Sequence, residues 1–393
     1  MITLVVYPEI CIRVNRKRQK KLNRNYSLNA LTKEITCCIP IQVSGIQGKI
    51  ISIMKLSSKK TMRAVVLLSG GLDSTLAVKM ILDQGIEVEA LNFRSVFCTC
   101  TPKTSSCSVA VTATQQLGVG LKVINKTSDF LEVVKNPKHG YGRNMNPCID
   151  CRIFIFRKAG EYMREIGASF IATGDVLGER PMSQRLAAMK LIEKESGLEG
   201  LVLRPLSARL LKPTIPEQKG WVDREKFLSI QGRSRKPQIQ LAKSFGINDY
   251  PCPAGGCRLT EPGFAARMRD LIKHTPDLTL NDVQLLKVGR HFRLSPEVKA
   301  VVGRDENENE QLLGLQREGD LMLEVQGFPG PMTIVRGVVN DDLLLLSAGI
   351  AAGYSKGHKE ATLDVSVRNG RKDKMLCVKP VKTDITTGMM IQN

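Results

Sequence analysis

Hydrophobic and polar positions fall into blocks along the middle of the chain, and the period of each block predicts its element. Residues 65–68 (VVLL) form a short continuous apolar run, the pattern of a strand buried on both faces of a parallel sheet. After a Gly-Gly pair, Leu72, Leu76, Ala77, Met80 and Ile81 recur at helical spacing, and Gly85 stops that helix. Residues 86–94 and 121–126 read as further strands, with a helix over 108–118 between them. A helix with an apolar face follows at 153–167, then a strand at 169–175 that ends in a Gly-Asp turn. Strands alternating with helices predict an α/β fold with a doubly wound parallel sheet. From about 181 to 275 the pattern is irregular and basic, and Pro213 and Pro216 interrupt it. Beyond about 285, strand-like runs separated by turn residues, with a helix at 341–353, predict a carboxyl-terminal α+β unit. Four segments are therefore expected: a basic extension (1–61), a nucleotide-binding domain (62–180), a basic adaptor (181–275) and the carboxyl-terminal unit (276–393).

The turn between the first strand and its helix reads SGGLDS, Ser69 to Ser74. A Gly-rich turn at a helix N-terminus offers free backbone N–H groups and the positive end of the helix dipole to an anion. Ser69, Gly70, Gly71 and Ser74 are candidate phosphate contacts, and Asp73 could hold a magnesium ion that neutralises phosphate oxygens. The alternative is an ordinary turn capped by Asp73 or Ser74. No lysine follows the glycines, so this is not a Walker A loop. Ligands of doubly wound sheets sit beyond the C-terminal ends of the strands. The turn at Gly174 and Asp175 lies on that edge too, with Asp175 a second carboxylate for magnesium or ATP, or a turn cap.

At 393 residues the chain is long enough for two or three domains. No apolar run reaches membrane-spanning length, so a soluble, cytoplasmic protein with no membrane partner is expected. The net charge of +20 suggests nucleic acid. Half of that excess lies in residues 1–61, where twelve Lys/Arg meet two acidic residues. That segment reads as an RNA-binding arm, a targeting sequence or an upstream translation start; the last is favoured, because MRAVVLLSGG from Met62 makes a natural domain start.

Eleven cysteines in a chain without a signal peptide suggest metal or thiol chemistry rather than a disulfide framework. Cys148 and Cys151 form a C-x-x-C just before a helix, able to chelate a metal, act as a redox pair or simply pack. Cys252 and Cys257 flank a Pro/Gly turn at a spacing that weakens a tetrahedral zinc reading. Cys98, Cys100 and Cys107 could bind a separate Zn2+, but no fourth ligand is evident near them.

The SGGLDS loop resembles the PP-loop of ATP pyrophosphatases (adenine nucleotide alpha hydrolase-like fold), which cleave ATP between the alpha and beta phosphates and hand AMP to an acceptor. NPCIDCR (146–152), ATGDVLGERPMSQ (172–184), RPLSARLL (204–211), GRSRK (232–236) and CPAGGCRLT (252–260) together resemble the tRNA thiolases of that superfamily, the 4-thiouridine synthetases and 2-thiouridylases. The resemblance implies ATP-dependent thiolation of a tRNA uridine. Ser69–Ser74 would bind Mg-ATP, and the adenylated uridine would receive sulfur from a [4Fe-4S] cluster on Cys148, Cys151 and Cys257, or from a persulfide passed by Cys151 and Cys257. It also implies a sulfur donor: sulfide, a cysteine desulfurase or a carrier protein. Arg180, Arg204, Arg233, Arg235 and Lys236 are then candidate RNA contacts.

Residues 302–312, 319–336 and 351–367 resemble the RNA-binding domain of NFACT proteins. Met322 and Glu324 stand where that family has Trp and His, and Pro331-Met332 where it has Ser-His. Arg304, Arg336, Lys356 and His358 remain as candidate phosphate contacts. Two rival readings stay open: a PP-loop ligase or sulfur-insertion enzyme acting on a small molecule, and a non-catalytic RNA or ribosome binder.

Overall fold

The computed structural model describes residues 62–99, 106–250, 256–370 and 372–392. The basic segment 1–61, Cys100, Cys252 and the side chain of Cys107 lie outside the described residues.

Five parallel strands build the first sheet: β1 (Arg63–Leu67), β2 (Glu87–Ser95), β3 (Gly120–Lys126), β4 (Phe170–Thr173) and β5 (Val202–Leu203), in the order β3-β2-β1-β4-β5. The apolar run of β1 is buried on both faces, as expected. Ala64 and Val66 face α1 (Leu72–Leu82) and α2 (Ser106–Leu117). Val65 and Leu67 face α4 (Cys148–Glu165) and α5 (Leu186–Ser196). Between them in sequence, α3 (Ser128–Lys135) follows β3. The strand order reverses direction between β1 and β4, whose residues Leu67 and Thr173 pair in register. That reversal opens a crevice at the C-terminal edge, the usual ligand site of a doubly wound sheet.

The stretch 181–275 is more regular than its composition suggests. It holds α5, the short α6 (Ile215–Gln218), α7 (Lys236–Ser244) and α8 (Pro262–His274). Its apolar residues are sparse but used: Val222, Phe227, Ala242 and Ile247 join the same core as α1. The expected helix at 153–167 starts earlier, at Cys148, because Pro147 as N-cap needs no N–H partner and its carbonyl accepts from Cys151 N at 2.7 Å.

After α9 (Leu280–Leu285) comes a six-stranded antiparallel sheet of order β11-β10-β8-β9-β7-β6. Its strands are β6 (Arg290–Arg293), β7 (Lys299–Val302), β8 (Leu321–Val325), β9 (Thr333–Arg336), β10 (Leu363–Asn369) and β11 (Lys372–Val378). Helix α11 (Asp341–Gly353), at the expected boundaries, covers one face, while α9 and α10 (Glu306–Leu315) pack on the other. A short α12 (Thr383–Thr387) ends the fold. Among the described residues no helix is long and apolar enough to cross a membrane.

Candidate active site

The loop after β1 is shaped by its own hydroxyls. Ser74 Oγ donates to Gly71 O at 2.8 Å and accepts from Ser69 N at 3.2 Å; Ser69 Oγ accepts from Gly71 N at 3.3 Å. Gly70 takes φ +82°, a left-handed conformation that a side chain would strain. The first amides of α1 precede the Thr75 N–H bond to Gly71 O (3.1 Å) and have no intrahelical acceptor, so they face the crevice as donors. Gly174 closes the other wall. A Cβ there would lie 2.5 Å from both Asp73 O and Ser74 N, so only glycine lets the end of β4 approach the loop this closely. The sequence-derived nucleotide residues Ser69, Gly70, Gly71, Asp73, Ser74, Gly174 and Asp175 thus converge on one edge.

Asp73 and Asp175 have opposite environments. Burial pushes the Asp73 carboxyl up, against the pull of Arg235, whose Nη2 stands 3.8 Å away. Its Oδ1 is buried with no hydrogen-bond partner. An orphaned anionic oxygen beside a phosphate-shaped loop fits a magnesium ion, a hard cation that takes oxygen ligands. Glu179, which sequence reasoning missed, faces the same spot: burial and the Asp73 charge both push its carboxyl up. Asp175 is fully engaged instead. Burial would raise it, but Arg152 and Arg204, with hydrogen bonds from Gln184 (3.0 Å) and within the Thr173 turn, more than offset that and hold it at about 2. Asp175 therefore organises the edge; it is not an open ligand.

The thiols gather around the start of α4. Lys126, the last residue of β3, donates from Nζ to Cys151 Sγ at 3.1 Å and lies 4.4 Å from the centroid of the Phe130 ring. Cys257 arrives on a separate loop, stitched to the turn after β2 by Arg258 N to Phe97 O (2.9 Å) and an antiparallel bridge with Cys98. Asn144, at φ +57°, holds that loop by donating to Thr260 O at 2.7 Å. Cys151 and Cys257 pack on an apolar cluster that includes Phe97, Phe130 and Phe264. Burial, helped by the neighbouring Cys151 sulfur, raises the Cys148 thiol. Burial also pushes Cys257 up to about 12; Cys151 and Cys98 add to this, and Lys126 and a backbone N–H oppose it. Cys148, Cys151 and Cys257 are thus brought together, and Cys98 joins them.

Among the described residues no group of three or more His, Cys, Asp or Glu is arranged to hold a single metal ion. Of the zinc candidates, Cys98 bridges Cys257 through the backbone, while Cys100 and the side chain of Cys107 lie outside the described residues. Iron–sulfur clusters are bound by cysteine thiolates, so Cys148, Cys151 and Cys257 have the donor type for one, without a metal-holding arrangement in this structure.

The arginines need correction. Arg204, expected on RNA, is 4% exposed and buried between Glu193 and Asp175. Arg235 turns inward to Asp73. Arg336 is buried against Asp320 and Asp282. Arg180, Arg233 and Lys236 are exposed, as is Lys356 in the carboxyl-terminal unit. Arg304 is exposed but held by Glu308, with Nε to Oε1 at 2.9 Å.

Residues 60–213 match the family model described as thiamine biosynthesis protein (ThiI), and residues 289–387 match that of the NFACT protein RNA binding domain. The chain carries a ThiI-type PP-loop domain and an NFACT-type RNA-binding domain. It is similar to the tRNA-specific 2-thiouridylase MnmA of Pseudomonas fluorescens (strain Pf0-1), 23% identical over 282 residues, 66% of this chain and 72% of that protein. The match to MnmA of Pelobacter propionicus is shorter, 27% identical over 29% of this chain and 33% of the relative. Among solved structures, a 4-thiouridine synthetase–RNA complex with bound ATP is similar at 23% identity and a TM-score of 0.35, over 57% of this chain and 52% of that one. The U34-tRNA thiolase NcsA from Methanococcus maripaludis, with its [4Fe-4S] cluster, is similar at 15% identity and a TM-score of 0.28, over 62% and 77% of the two chains. The ThiI-type match spans both the SGGLDS loop and the C-x-x-C, but not Cys257.

Proposed function

We propose that this chain is an ATP-dependent tRNA uridine sulfurtransferase. One observation carries the reading: a phosphate-shaped loop after β1 and a lysine-held thiol at the end of β3 share the C-terminal edge of a single sheet. Thiolation needs both. A uridine oxygen is a poor leaving group until it carries AMP, and the activated carbon must then meet sulfur.

In this reading the amides and hydroxyls of Ser69–Ser74 grip the pyrophosphate portion of ATP. Asp73, with Glu179 nearby, would hold the magnesium that neutralises phosphate charge. The uridine oxygen attacks the alpha phosphorus, the bond to the bridging oxygen breaks, and pyrophosphate leaves. A persulfide on Cys151, loaded by transfer of sulfane sulfur from an external persulfide (on a cysteine desulfurase or a carrier protein), then attacks the ring carbon, and AMP departs with the original oxygen; sulfide itself would serve as donor only in the cluster alternative below. Attack of Cys257 on the Cys151 sulfur releases the thiouridine and leaves a disulfide, which an external thiol reduces. Lys126 places its Nζ donor against the Cys151 sulfur for this exchange. Cys148, Cys151 and Cys257 could alternatively hold a [4Fe-4S] cluster, which would supply an open iron to carry sulfide. The exposed Arg180, Arg233 and Lys236, with the NFACT-type domain, give tRNA a basic surface.

The test is to incubate the full chain, purified without oxygen, with unmodified tRNA, Mg-ATP and either a cysteine desulfurase with cysteine or, after reconstitution with iron, sulfide, and to analyse nucleosides by mass spectrometry. A thiouridine lost in both Asp73→Ala and Cys257→Ala is expected. AMP release that is indifferent to tRNA, with no thiolated base, would overturn the assignment in favour of a small-molecule acceptor.

A further inference from the structure

Three cations stand directly opposite one another on adjacent strands of the carboxyl-terminal sheet. Arg293 of β6 pairs in register with Lys299 of β7, and Lys299 with Arg336 of β9. Directly opposed residues project from the same face, and like charges placed so repel. Two of the three are neutralised. Arg293 makes a double hydrogen bond to Asp270 at 3.0 and 2.5 Å. Arg336 donates to Asp320 at 2.9 and 2.8 Å and to Asp282 at 2.7 Å. Asp282 is further engaged by Arg317 at 3.0 Å.

The middle cation is left over. Lys299 is 6% exposed, and its ammonium has no hydrogen-bond or ion-pair partner among the described residues. Burying a charge without a partner is costly, and such groups are normally paired. Lys299 lines a cavity of about 320 Å³ with Arg293, Arg317, Arg336, Asp282 and Glu297. Of the two lining carboxylates, Asp282 is committed to arginines, and Glu297 is exposed at the rim.

We propose that this cavity is an anion site that takes a phosphate group, with Lys299 as its floor and Arg317 as its exposed arm. An incoming phosphate supplies the acceptors that Lys299 lacks and relieves the repulsion along the row. Burial, aided by Arg293, Arg267 and Arg336 and opposed by Asp270, lowers Lys299 to about 7, as expected for an ammonium whose counter-ion has yet to arrive. The phosphate could be free or carried on an RNA end, and the two sources are separable.

Isothermal titration of the full chain with inorganic phosphate at fixed ionic strength tests this. Wild type should bind one phosphate more than Lys299→Met, whose PP-loop is intact and therefore cancels in the comparison. Equal stoichiometry and affinity in both proteins would overturn the proposal. A matched pair of short RNAs with and without a 5′-phosphate identifies the source. A tenfold preference for the phosphorylated RNA that vanishes in Lys299→Met assigns RNA ends, and phosphate binding without that preference assigns the free ion. If Lys299→Met does not fold, reductive methylation of Lys299 in the wild-type chain, followed by peptide mass, is to slow in phosphate; no protection would refute the site.

Discussion

Lys126 and Cys151, the end of a strand and the first turn of a helix, meet through a 3.1 Å N–H···S hydrogen bond. Hydrogen bonds to a charged partner are worth about 1.5–3 kcal/mol, and each 1.36 kcal/mol is tenfold in rate. Lys126→Met should therefore slow thiolation by roughly 10- to 100-fold while leaving the KM for ATP unchanged. Steady-state assays that vary ATP and tRNA separately check this. A rise in the KM for ATP alone would place Lys126 with the nucleotide instead.

Gly174→Ala should be severe for a site with no catalytic side chain. The added methyl would meet Asp73 O and Ser74 N at 2.5 Å, and both are backbone atoms that cannot swing aside. Overpacking of this kind costs about 1–3 kcal/mol, and here it also pushes the phosphate loop out of shape. We expect a lower melting temperature together with loss of ATP-dependent stabilisation. Calorimetry with and without Mg-ATP reads both.

Asp73→Asn should separate stability from turnover. The wild-type carboxyl is raised by burial, so the native state holds its proton more firmly than the unfolded chain does. Its ionisation therefore costs stability as pH rises from the unfolded value of 3.8 through the native one. The asparagine removes that cost, and at pH 7 the variant should melt no lower than wild type. Its AMP release should fall by about 100-fold or more, the scale seen when a transition-state charge stabiliser is lost.

The Arg152–Asp175 pair should mark the acid limb of stability. Asp175 is held at about 2 against an ordinary 3.8, so its contribution is complete above the unfolded value and disappears as pH falls through 2. Both side chains are largely buried, and removing one partner of such a pair costs about 3–5 kcal/mol. Arg152→Met should show that loss at pH 7 by denaturant titration, and a flatter stability profile below pH 4 than wild type.

Cys257 should behave as a protected thiol. With its ionisation pushed up to about 12, the folded chain keeps the proton where an unfolded cysteine loses it, so this group lowers stability as pH rises from about 9 to 12. Alkylation of Cys257 by iodoacetamide should still be accelerating at pH 10, whereas the same peptide in denaturant has levelled off. A plateau at pH 9 in the folded chain would contradict the burial argument.

The shape of the SGGLDS turn could be read from the sequence because its parts are local: strand, glycines, carboxylate and helix lie within one short run, and local hydrogen bonds among Ser69, Gly71 and Ser74 fix it. The thiol site was half legible. Cys148 and Cys151 share a turn, but Lys126 is recognisable only once β3 brings its end against α4, and a single lysine at a strand end gives no signal of its own. Glu179 was silent for the same reason. Arginines were misread in one direction. Arg204, Arg235 and Arg336 looked like surface cations because their carboxylates (Glu193, Asp73, Asp320) are not adjacent in sequence. Long-range ion pairs leave no trace in composition, and Lys299 becomes conspicuous only after its neighbours in the row, Arg293 and Arg336, have found their carboxylates.

Arg152 sits one residue beyond Cys151, on the same helical turn, and its guanidinium clasps Asp175 next to the glycine that walls the phosphate loop. The helix that bears Cys148 and Cys151 is thereby anchored to the sheet edge that carries the Ser69–Ser74 turn by a largely buried ionic strut. Such a frame sets the distance between its two workplaces and does not shorten it by bending. If a base is activated at one and substituted at the other, the journey belongs to the nucleic acid. The enzyme would be the bench, and the RNA the moving part.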